Sequence, residues 1–536
     1  MVTVVMQHTP SQALVNRWQS LSGMTRIATM GSGSSTDVSC AISDGKAYCW
    51  GSDASGQIGN GATTGNQLLP TRVDGVLTGK TVTDISIGLA YVCAVADGKA
   101  YCWGDNQYGQ LGDSTTTNRD APVAVNDSGV LAGKTVTNIA AGHGHACAVA
   151  DGLAYCWGAG GNGRLGRGST SSSSVPVAVS TSGALNGKTV VQVGLGSGHS
   201  CALTADGIVA CWGAGVNGQM GNGTTTTNNT SPVAITVNAY LSGKTITWLG
   251  VGNGVSCVIA SSLPFCWGYG TNGQMGNGGT TDSTEATPPT MSGVLNGKSF
   301  VRIAVGAGRT CTFDTAGLAY CWGAARNGDN TQSQRLTPVA VMTTSPSQLT
   351  GMTVNDISVG NSATCVTTTT RQAFCWGVNT VGQLGDNTTT ARSAAVAVLI
   401  DGDSNLGAYR VYRNANSVTP GSPIAANNTA PVLPYKNMPF RVRLAVNGAG
   451  NSDAPIQLYE TTASYILQFA QRTAGSCSAQ SSGWADVGAG TAIAWQTNGS
   501  VSNGATISAY GSDPAVANPV YQTYRSADTT FNNPNT

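Results

Sequence analysis

The stretch Leu77–Val125, LTGKTVTDISIGLAYVCAVADGKAYCWGDNQYGQLGDSTTTNRDAPVAV, carries the strand and turn pattern from which the fold can be predicted. Residues 81–87 alternate in polarity and are rich in β-branched side chains, which is typical of a strand. The runs VCAVA and KAYCW flank an Asp-Gly pair at 97–98, a strong signal for a two-residue hairpin turn. Residues 121–125 add a fourth short run, so the stretch predicts a unit of four antiparallel strands.

This unit recurs seven times along the chain. Seven cysteine pairs, with members nine or ten positions apart, are each followed directly by Trp-Gly, and these tryptophans lie 53–55 residues apart. A period of this length is the signature of a repeat architecture. Four strands per unit with glycine-rich connections are typical of a propeller blade. We therefore predict an all-β, seven-bladed β-propeller. The repeated tryptophans are Trp50, Trp103, Trp157, Trp212, Trp267, Trp322 and Trp376.

The hairpin brings the two cysteines of each unit together. With the turn at 97–98, Cys93 falls opposite Cys102 at a non-hydrogen-bonded position, where Cα atoms lie roughly 4.5 Å apart, within disulfide range. We predict seven disulfides within blades; the alternative is buried reduced thiols, because free cysteine packs as a small hydrophobe. The predicted pairs are Cys40–Cys49, Cys93–Cys102, Cys147–Cys156, Cys201–Cys211, Cys257–Cys266, Cys311–Cys321 and Cys365–Cys375.

Composition excludes several classes of partner. Only 10% of the 536 residues are charged, and the formal net charge is +1. Phosphate binding needs a basic patch, and a membrane-surface role needs a polybasic segment. No stretch reaches the roughly 18 apolar residues of a membrane-spanning helix. We predict no nucleic-acid partner and no direct membrane insertion.

The predicted disulfides indicate an oxidising compartment. The expected location is therefore extracellular or at the cell surface. Residues 1–22 show no charged segment followed by a long apolar core, so no export signal is visible. We expect the N-terminus of this sequence to be incomplete.

Short motifs inside the repeat carry a family resemblance. They are the run GHGHACAV at 142–149, the Cys-Trp-Gly strand, and a G-Q-[LIM]-G loop such as Gly109–Gly112. With these motifs, the chain resembles the regulator of chromosome condensation repeat family of seven-bladed propellers over residues 21–399. Nuclear members of that family resemble nucleotide-exchange factors with a basic, nucleosome-facing surface, whereas this chain is neutral. The resemblance therefore implies the secreted or surface bacterial type, which includes a β-lactamase inhibitory protein that binds its target with one propeller face.

The repeat boundaries predict the domain organisation. Residues 1–20 form an N-terminal segment in which 8–15 is a candidate extra propeller strand, and residues 21–400 form the propeller. A linker at 401–408 leads into a β-rich domain at 409–536, which we expect to be a β-sandwich, incomplete at its C-terminus. Cys477 in that domain has no partner left in the chain.

Two motifs suggest ligands but have simpler explanations. Gly-Lys-Thr recurs at one blade position, as at 79–81, with three residues rather than four before it, so we interpret it as a structural turn rather than a phosphate loop. Asp401, Asp403 and Asn405 resemble a calcium loop, although glycine and glutamate are missing from the sixth and twelfth positions. Calcium at the interdomain linker is the one cofactor predicted, and a solvated linker is the alternative.

Positions that differ between equivalent blades are the candidate binding residues. They lie before each first cysteine or after each Trp-Gly, in loops that carry function on rigid scaffolds, and aromatic and arginine side chains are enriched at binding hot spots. Ordinary sequence drift in exposed loops is the alternative. The candidates are Tyr91, His143, Arg309, Tyr108, Tyr269 and Arg326. His145 and His199 share one repeat position, which indicates a structural role.

No catalytic residues are predicted, because neither H-E-x-x-H nor G-x-S-x-G occurs. The hypothesis is an extracellular, non-enzymatic binding or structural protein that presents a disulfide-bonded propeller to a protein or a surface glycan. It would act as a cell-surface adhesin or as a self-associating surface or filament subunit. The alternatives are a secreted protein inhibitor of an enzyme, and an enzyme that uses the axial pocket of the propeller.

Overall fold

Seven four-stranded sheets surround a central axis. The computed structural model describes residues 23–31, 35–63 and 65–400, together with the backbone of short strands elsewhere. The chain divides into two units, Ser20–Ile400 and the pair of segments Met1–Gln19 and Asp401–Thr536. The propeller lies in the first unit, and the predicted seven-bladed, all-β architecture is confirmed.

Each blade consists of four consecutive antiparallel strands. The strands are, in blade 1, Met24–Met30, Val38–Ser43, Lys46–Gly51 and Gln67–Arg72; in blade 2, Val82–Ile87, Tyr91–Ala96, Lys99–Gly104 and Arg119–Ala124; in blade 3, Val136–Ala141, His145–Ala150, Leu153–Gly158 and Ser173–Ala178; in blade 4, Val190–Leu195, His199–Thr204, Val209–Gly213 and Asn229–Ala234; in blade 5, Ile246–Val251, Val255–Ala260, Leu263–Gly268 and Ser283–Thr287; in blade 6, Phe300–Val305, Arg309–Asp314, Ala319–Gly323 and Arg335–Ala340; in blade 7, Val354–Val359, Ala363–Thr368, Ala373–Gly377 and Arg392–Ala397.

Other secondary structure is short. The helices of the described residues are four 3-10 turns, at Gly75–Leu77, Gly161–Gly163, Gly183–Leu185 and Gly293–Leu295. The further strands are Val5–Gln7, Trp18–Ser20, Leu399–Asp401, Tyr409–Arg413, Phe440–Leu444, Ile466–Ala470 and Trp484–Asp486. Apart from these strands, the candidate strand at 8–15, the linker and the predicted β-sandwich lie outside the described residues.

The predicted disulfides form in all seven blades. Each bridge joins the second strand to the third at directly opposed positions, as the hairpin register of Cys93 and Cys102 requires. The bridged Cα atoms lie 4.0–4.1 Å apart, and all fourteen cysteines are fully buried. The bridges therefore fix the centre of each sheet, away from the loops.

A first prediction concerns a single bridge. The double variant Cys257→Ala/Cys266→Ala should unfold with a free energy lower by about 2 kcal/mol, because each bridge closes only a short loop. Urea unfolding followed by tryptophan fluorescence measures this. Non-reducing peptide mapping should find the other six bridges intact. An unchanged unfolding midpoint would show that the bridge contributes nothing to stability.

Adjacent blades are joined through the repeated tryptophan. The indole N–H of Trp157 donates to the backbone carbonyl of Gln110 in the preceding blade, at 2.9 Å. Gly112 of the same G-Q-L-G loop lies against that indole with a φ of +68°, and a Cβ there would come within 2.8 Å of the ring. Only glycine fits this close approach with a positive φ. Six of the seven tryptophans make the bond, including Trp50 to Gln383, which joins blade 7 to blade 1.

A second set of contacts encircles the axis. The first strands of neighbouring blades contact each other and lie innermost. Their third position carries a polar or aromatic side chain in every blade: Arg26, Asp84, Asn138, Gln192, Trp248, Arg302 and Asp356. We call these seven residues the axial ring.

Members of the axial ring bond to the next blade. Asp84 accepts from the backbone N–H of Ile139 at 3.1 Å and from the Asn138 amide at 2.9 Å. Between blades 6 and 7, Arg302 donates to Asp356 at 2.6 Å. Arg26 lies 2.5 Å from Asp84, and the Asp84 carboxylate raises the pKa of Arg26 against the opposing effect of burial. Two arginines and two aspartates therefore balance charge at the axis.

A second prediction tests the ring. Asp84→Ala should lower the free energy of unfolding by about 2–3 kcal/mol, because it leaves the partly buried Arg26 without its main partner and removes the acceptor of the Ile139 N–H. Asp127→Ala is the control, since Asp127 also pairs with a cation, Lys99 at 2.8 Å, but is 55% exposed. Exposed pairs contribute about 0–1 kcal/mol. Equal losses for the two variants in urea unfolding would contradict a structural role for the ring.

Candidate binding face

Two sets of loops meet at one end of the blades. Because the strands alternate in direction, the loops between the first and second strands and those between the third and fourth strands leave from the same edge. We call this edge the upper face. His143 lies in the first kind of loop, and Tyr108, Tyr269 and Arg326 lie in the second. Four of the six candidates thus lie in loops of one face.

The remaining two candidates, Tyr91 and Arg309, are buried. Each is the first residue of a second strand, and Arg309 is only 4% exposed. The Tyr91 hydroxyl donates to the carbonyl of His145 in the next blade at 2.6 Å, and burial raises the pKa of Tyr91 well above its usual value. Tyr91 therefore joins blades, and its side chain offers no surface to a partner.

Histidines at the same position also join blades. The Nε2 atom of His145 lies 2.9 Å from the Ser200 hydroxyl, and that of His199 lies 3.0 Å from Ser256. Both bonds cross to the next blade, which confirms the structural role predicted from their shared repeat position. Burial lowers the pKa of His199 to about 4, and the charge of Arg164 adds to this effect.

A third prediction follows from the His199 pKa. Free histidine titrates near pH 6.5, so between pH 6.5 and pH 4 the unfolded chain binds more protons than the folded chain. Folding stability should therefore fall as pH drops through this window. In His199→Gln, the fall in the free energy of unfolding between pH 7 and pH 4 should be smaller by about 3 kcal/mol than in the wild type. Urea midpoints measured at pH 7 and pH 4 for both proteins test this, and identical pH profiles would contradict the assignment.

One group of upper-face residues departs from the repeat in blades 2 and 3. Tyr108 is 50% exposed, and its ring lies over Gly144, where an added Cβ would come within 3.1 Å. His143 is adjacent, and its Nε2 atom is buried with no hydrogen-bond partner among the described residues. Burial, followed by the charge of Arg164, lowers the pKa of His143. We call Tyr108, His143 and Arg164 the upper-face cluster.

Arg164 completes this cluster, and the sequence prediction missed it. It replaces the glutamine of the G-Q-[LIM]-G loop in blade 3, and that substitution is the signal that could have revealed it. Its guanidinium donates to the carbonyls of Ser197 at 2.9 Å and Gly161 at 2.8 Å. No carboxylate pairs with it in the described part of the chain, so a cation held by two carbonyls lies beside an exposed aromatic ring.

The other two candidates lie apart from this cluster. Tyr269 packs beside the core of blades 5 and 6. Arg326 lies in blade 6, where its charge lowers the pKa of Arg309, although burial is the larger cause. The upper face therefore carries separate groups of non-repeating residues rather than one continuous pocket.

The Gly-Lys-Thr motifs lie at the opposite face and are turns, as predicted. Lys188 bonds to Asp206 of the hairpin in its own blade at 2.7 Å. In blade 2, Lys80 lies 3.6 Å from Asp97, whose carboxylate also accepts from the backbone N–H of Thr81 at 3.0 Å. The motif thus links the start of the first strand to the hairpin turn of the same blade.

Within the described residues, no three histidine, cysteine, aspartate or glutamate side chains are grouped to hold a metal. Asp403 and Asn405 lie outside the described residues, and only the backbone of Asp401 is described, so the calcium site stays a prediction. None of the described helices has the length and apolarity to cross a bilayer.

Comparisons with known proteins identify the repeat. The family profile for the regulator of chromosome condensation (RCC1) repeat matches residues 44–95, 97–149, 151–203 and 265–313, and a second profile for the same repeat matches residues 82–110 and 190–219. RCC1 repeats are thus identified over residues 44–219 and 265–313 of the propeller.

Relatives and solved structures extend the comparison. The ultraviolet-B receptor UVR8 of Arabidopsis thaliana is 26% identical over 407 residues, which cover 74% of this chain and 87% of the receptor. The human E3 ubiquitin-protein ligase HERC2 is 32% identical over 282 residues, 52% of this chain but only 6% of the ligase. Human WBSCR16 superposes with a TM-score of 0.58 at 20% identity, covering 66% of this chain and 94% of that one.

Yeast RCC1 (Prp20), solved bound to Kap60, gives a TM-score of 0.55 at 17% identity, with 73% and 88% of the two chains covered. At these identities, the structural matches establish the fold alone. The relatives named here are eukaryotic, so the bacterial, secreted type stays a prediction.

Proposed function

We propose that this chain is an extracellular binding protein that engages a protein partner through the upper face of its propeller. Propellers of the RCC1 type occur in protein complexes, as in the yeast protein bound to Kap60. The low charge of the chain favours a protein or glycan partner over nucleic acid. Adhesin and surface-subunit roles both require such a face.

The upper-face cluster carries the proposal. Tyr108 presents half of its ring to solvent, and Arg164 is held beside it by two backbone carbonyls. Exposed tyrosine and arginine on a rigid frame are typical of binding hot spots, because little conformational entropy is lost on contact. Among the described residues, the Tyr108 side chain makes no hydrogen bond to another blade, so the fold does not require its hydroxyl. The Arg164 guanidinium does bond to the neighbouring blade 4, at the Ser197 carbonyl.

The extracellular location rests on the disulfides. Seven buried bridges are expected in an oxidising environment and are rare in the cytosol. The alternative of an enzyme that uses the axial pocket gains no support, because the charged side chains of the axial ring are paired with one another.

A fourth prediction tests the face directly. A photo-crosslinking amino acid at Tyr108 should capture one discrete partner on intact source cells. Tyr240 is the matched control, because it is 51% exposed and lies at the opposite face, in the loop that leads into blade 5. Adding Arg164→Gln, which restores the residue of the other blades, should weaken capture at Tyr108 about tenfold or more.

The outcomes separate the roles. A crosslinked second copy of this chain would indicate a surface or filament subunit, a different surface protein would indicate an adhesin, and an enzyme would indicate the inhibitor. Equal capture from Tyr108 and Tyr240, or fourteen free thiols in protein isolated under alkylating conditions, would contradict the proposal.

A further inference from the structure

Blade 6 lacks part of the loop that joins neighbouring blades. Gly112 follows Trp103 by nine positions, and the same spacing holds in every blade except blade 6, where Gly328 follows Trp322 by six. Three residues of the G-Q-[LIM]-G loop are thus missing. Gly328 nevertheless keeps the place of the motif's last glycine, against Trp376 of blade 7.

The shorter loop removes a hydrogen-bond acceptor. At the junction of blades 5 and 6, the Gln274 carbonyl accepts from both the indole of Trp322 at 2.7 Å and the hydroxyl of Thr310 at 3.0 Å. At the junction of blades 6 and 7, the indole N–H of Trp376 has no partner among the described residues, although it is fully buried. Leaving such a donor unsatisfied is costly.

Two more buried polar atoms at this junction lack partners. They are the Oδ1 atom of Asn327, in the shortened loop, and the Nε atom of Arg309. The guanidinium of Arg309 does bond to the Thr364 hydroxyl at 2.9 Å and to the Ala325 carbonyl at 2.6 Å. Thr364 lies directly opposite Trp376 in the blade 7 hairpin. The three unpaired atoms therefore lie at the same junction, between blades 6 and 7.

This junction also holds positive charge that no acid balances. Arg309 stands where blades 3 and 4 carry neutral histidines. Among the described residues, the half-buried Arg326 of the shortened loop makes hydrogen bonds only to Ser393 and Gln332, both at 3.3 Å. The neighbouring acid, Asp329, is engaged with Arg335 at 2.6 Å. Within the described residues, neither Arg309 nor Arg326 pairs with a carboxylate. Buried charges are normally paired, because desolvation is expensive.

We propose that the junction of blades 6 and 7 is an anion-binding site, in which Arg309 and Arg326 take a carboxylate. Two guanidinium groups match the planar, two-oxygen geometry of a carboxylate. Arg326 gives access from the upper face, and the indole N–H of Trp376 is a further donor. The carboxylate comes either from a small organic acid or from an acidic residue of a protein partner. The site lies on the face of the proposed function but can be tested without any partner.

The first measurement follows the indole protons. In ¹⁵N-labelled full-length protein, the Trp376 Nε1–H signal, assigned with Trp376→Phe, should shift saturably with sodium acetate but not with sodium chloride at equal ionic strength. A peptide that ends in Asp-Glu provides the second arm. Saturation by acetate at millimolar concentration indicates a free organic acid, whereas saturation by the peptide alone, at far lower concentration, indicates a protein carboxylate.

Variants identify the residues responsible. Arg326→Gln should abolish the shift, and Arg309→His, which introduces the residue of blades 3 and 4, should do the same while keeping the bond between blades. Arg167→Gln is the control, because Arg167 in blade 3 also lacks a carboxylate partner among the described residues and bonds only to the carbonyls of Ser171 and Ser172. A tenfold excess of the effective ligand over its Kd should raise Tm by about 2 °C in the wild type and in Arg167→Gln, but in neither Arg326→Gln nor Arg309→His.

Several results would overturn the site. They are an indole signal that responds to neither acetate nor the peptide, or a response that survives both Arg326→Gln and Arg309→His. Equal loss of the response in Arg167→Gln would also exclude it. Each of these results leaves the crosslinking test at Tyr108 unaffected, so failure of this site and failure of the proposed function are distinguishable.

Discussion

The hydrogen bond from each repeated tryptophan to the loop of the preceding blade is the contact on which the propeller depends. Strand pairing and disulfides hold each blade together internally, but neither connects one blade to the next. The indole bond does so at six of seven junctions. Its geometry requires glycine against the indole face, which explains why a Gly-rich loop and a Trp-Gly strand recur together.

The remaining contacts between blades use more varied side chains. They are made by different residues from those proposed to give binding specificity at the upper face. The first residue of the second strand uses tyrosine, histidine or arginine to reach the next blade. The axial ring uses five kinds of side chain in its seven blades, yet Asp84, Asn138 and Gln192 each accept from a backbone N–H of the next blade. Upper-face side chains such as Tyr108 take no part in these contacts. They are therefore free to differ in ways that serve binding.

Local patterns in the sequence predicted the fold and the disulfides, because both depend on spacing within one repeat. The turn at Asp97-Gly98 fixes the register that places Cys93 opposite Cys102. Contacts between repeats were harder to predict. Tyr91 and Arg309 looked like exposed loop residues, but they begin buried strands, since the loop ends one residue earlier than the sequence suggested. The axial ring escaped prediction because its partners lie about 55 residues apart.

Arg164 is the opposite case. The sequence alone marks it as a functional candidate, but the prediction of binding residues did not include it. It replaces the glutamine of a repeated motif, and only the structure shows that it lies beside Tyr108 and His143. The shortened loop of blade 6 was equally visible, but its consequence, an unpaired indole beside two arginines, depends on contacts across a junction. A cryo-electron microscopy map of the chain crosslinked to its partner would show directly which face of the propeller binds. We expect partner density over Tyr108 and Arg164 on the upper face; density confined to the opposite face around Tyr240 would show that the upper face is not the binding face.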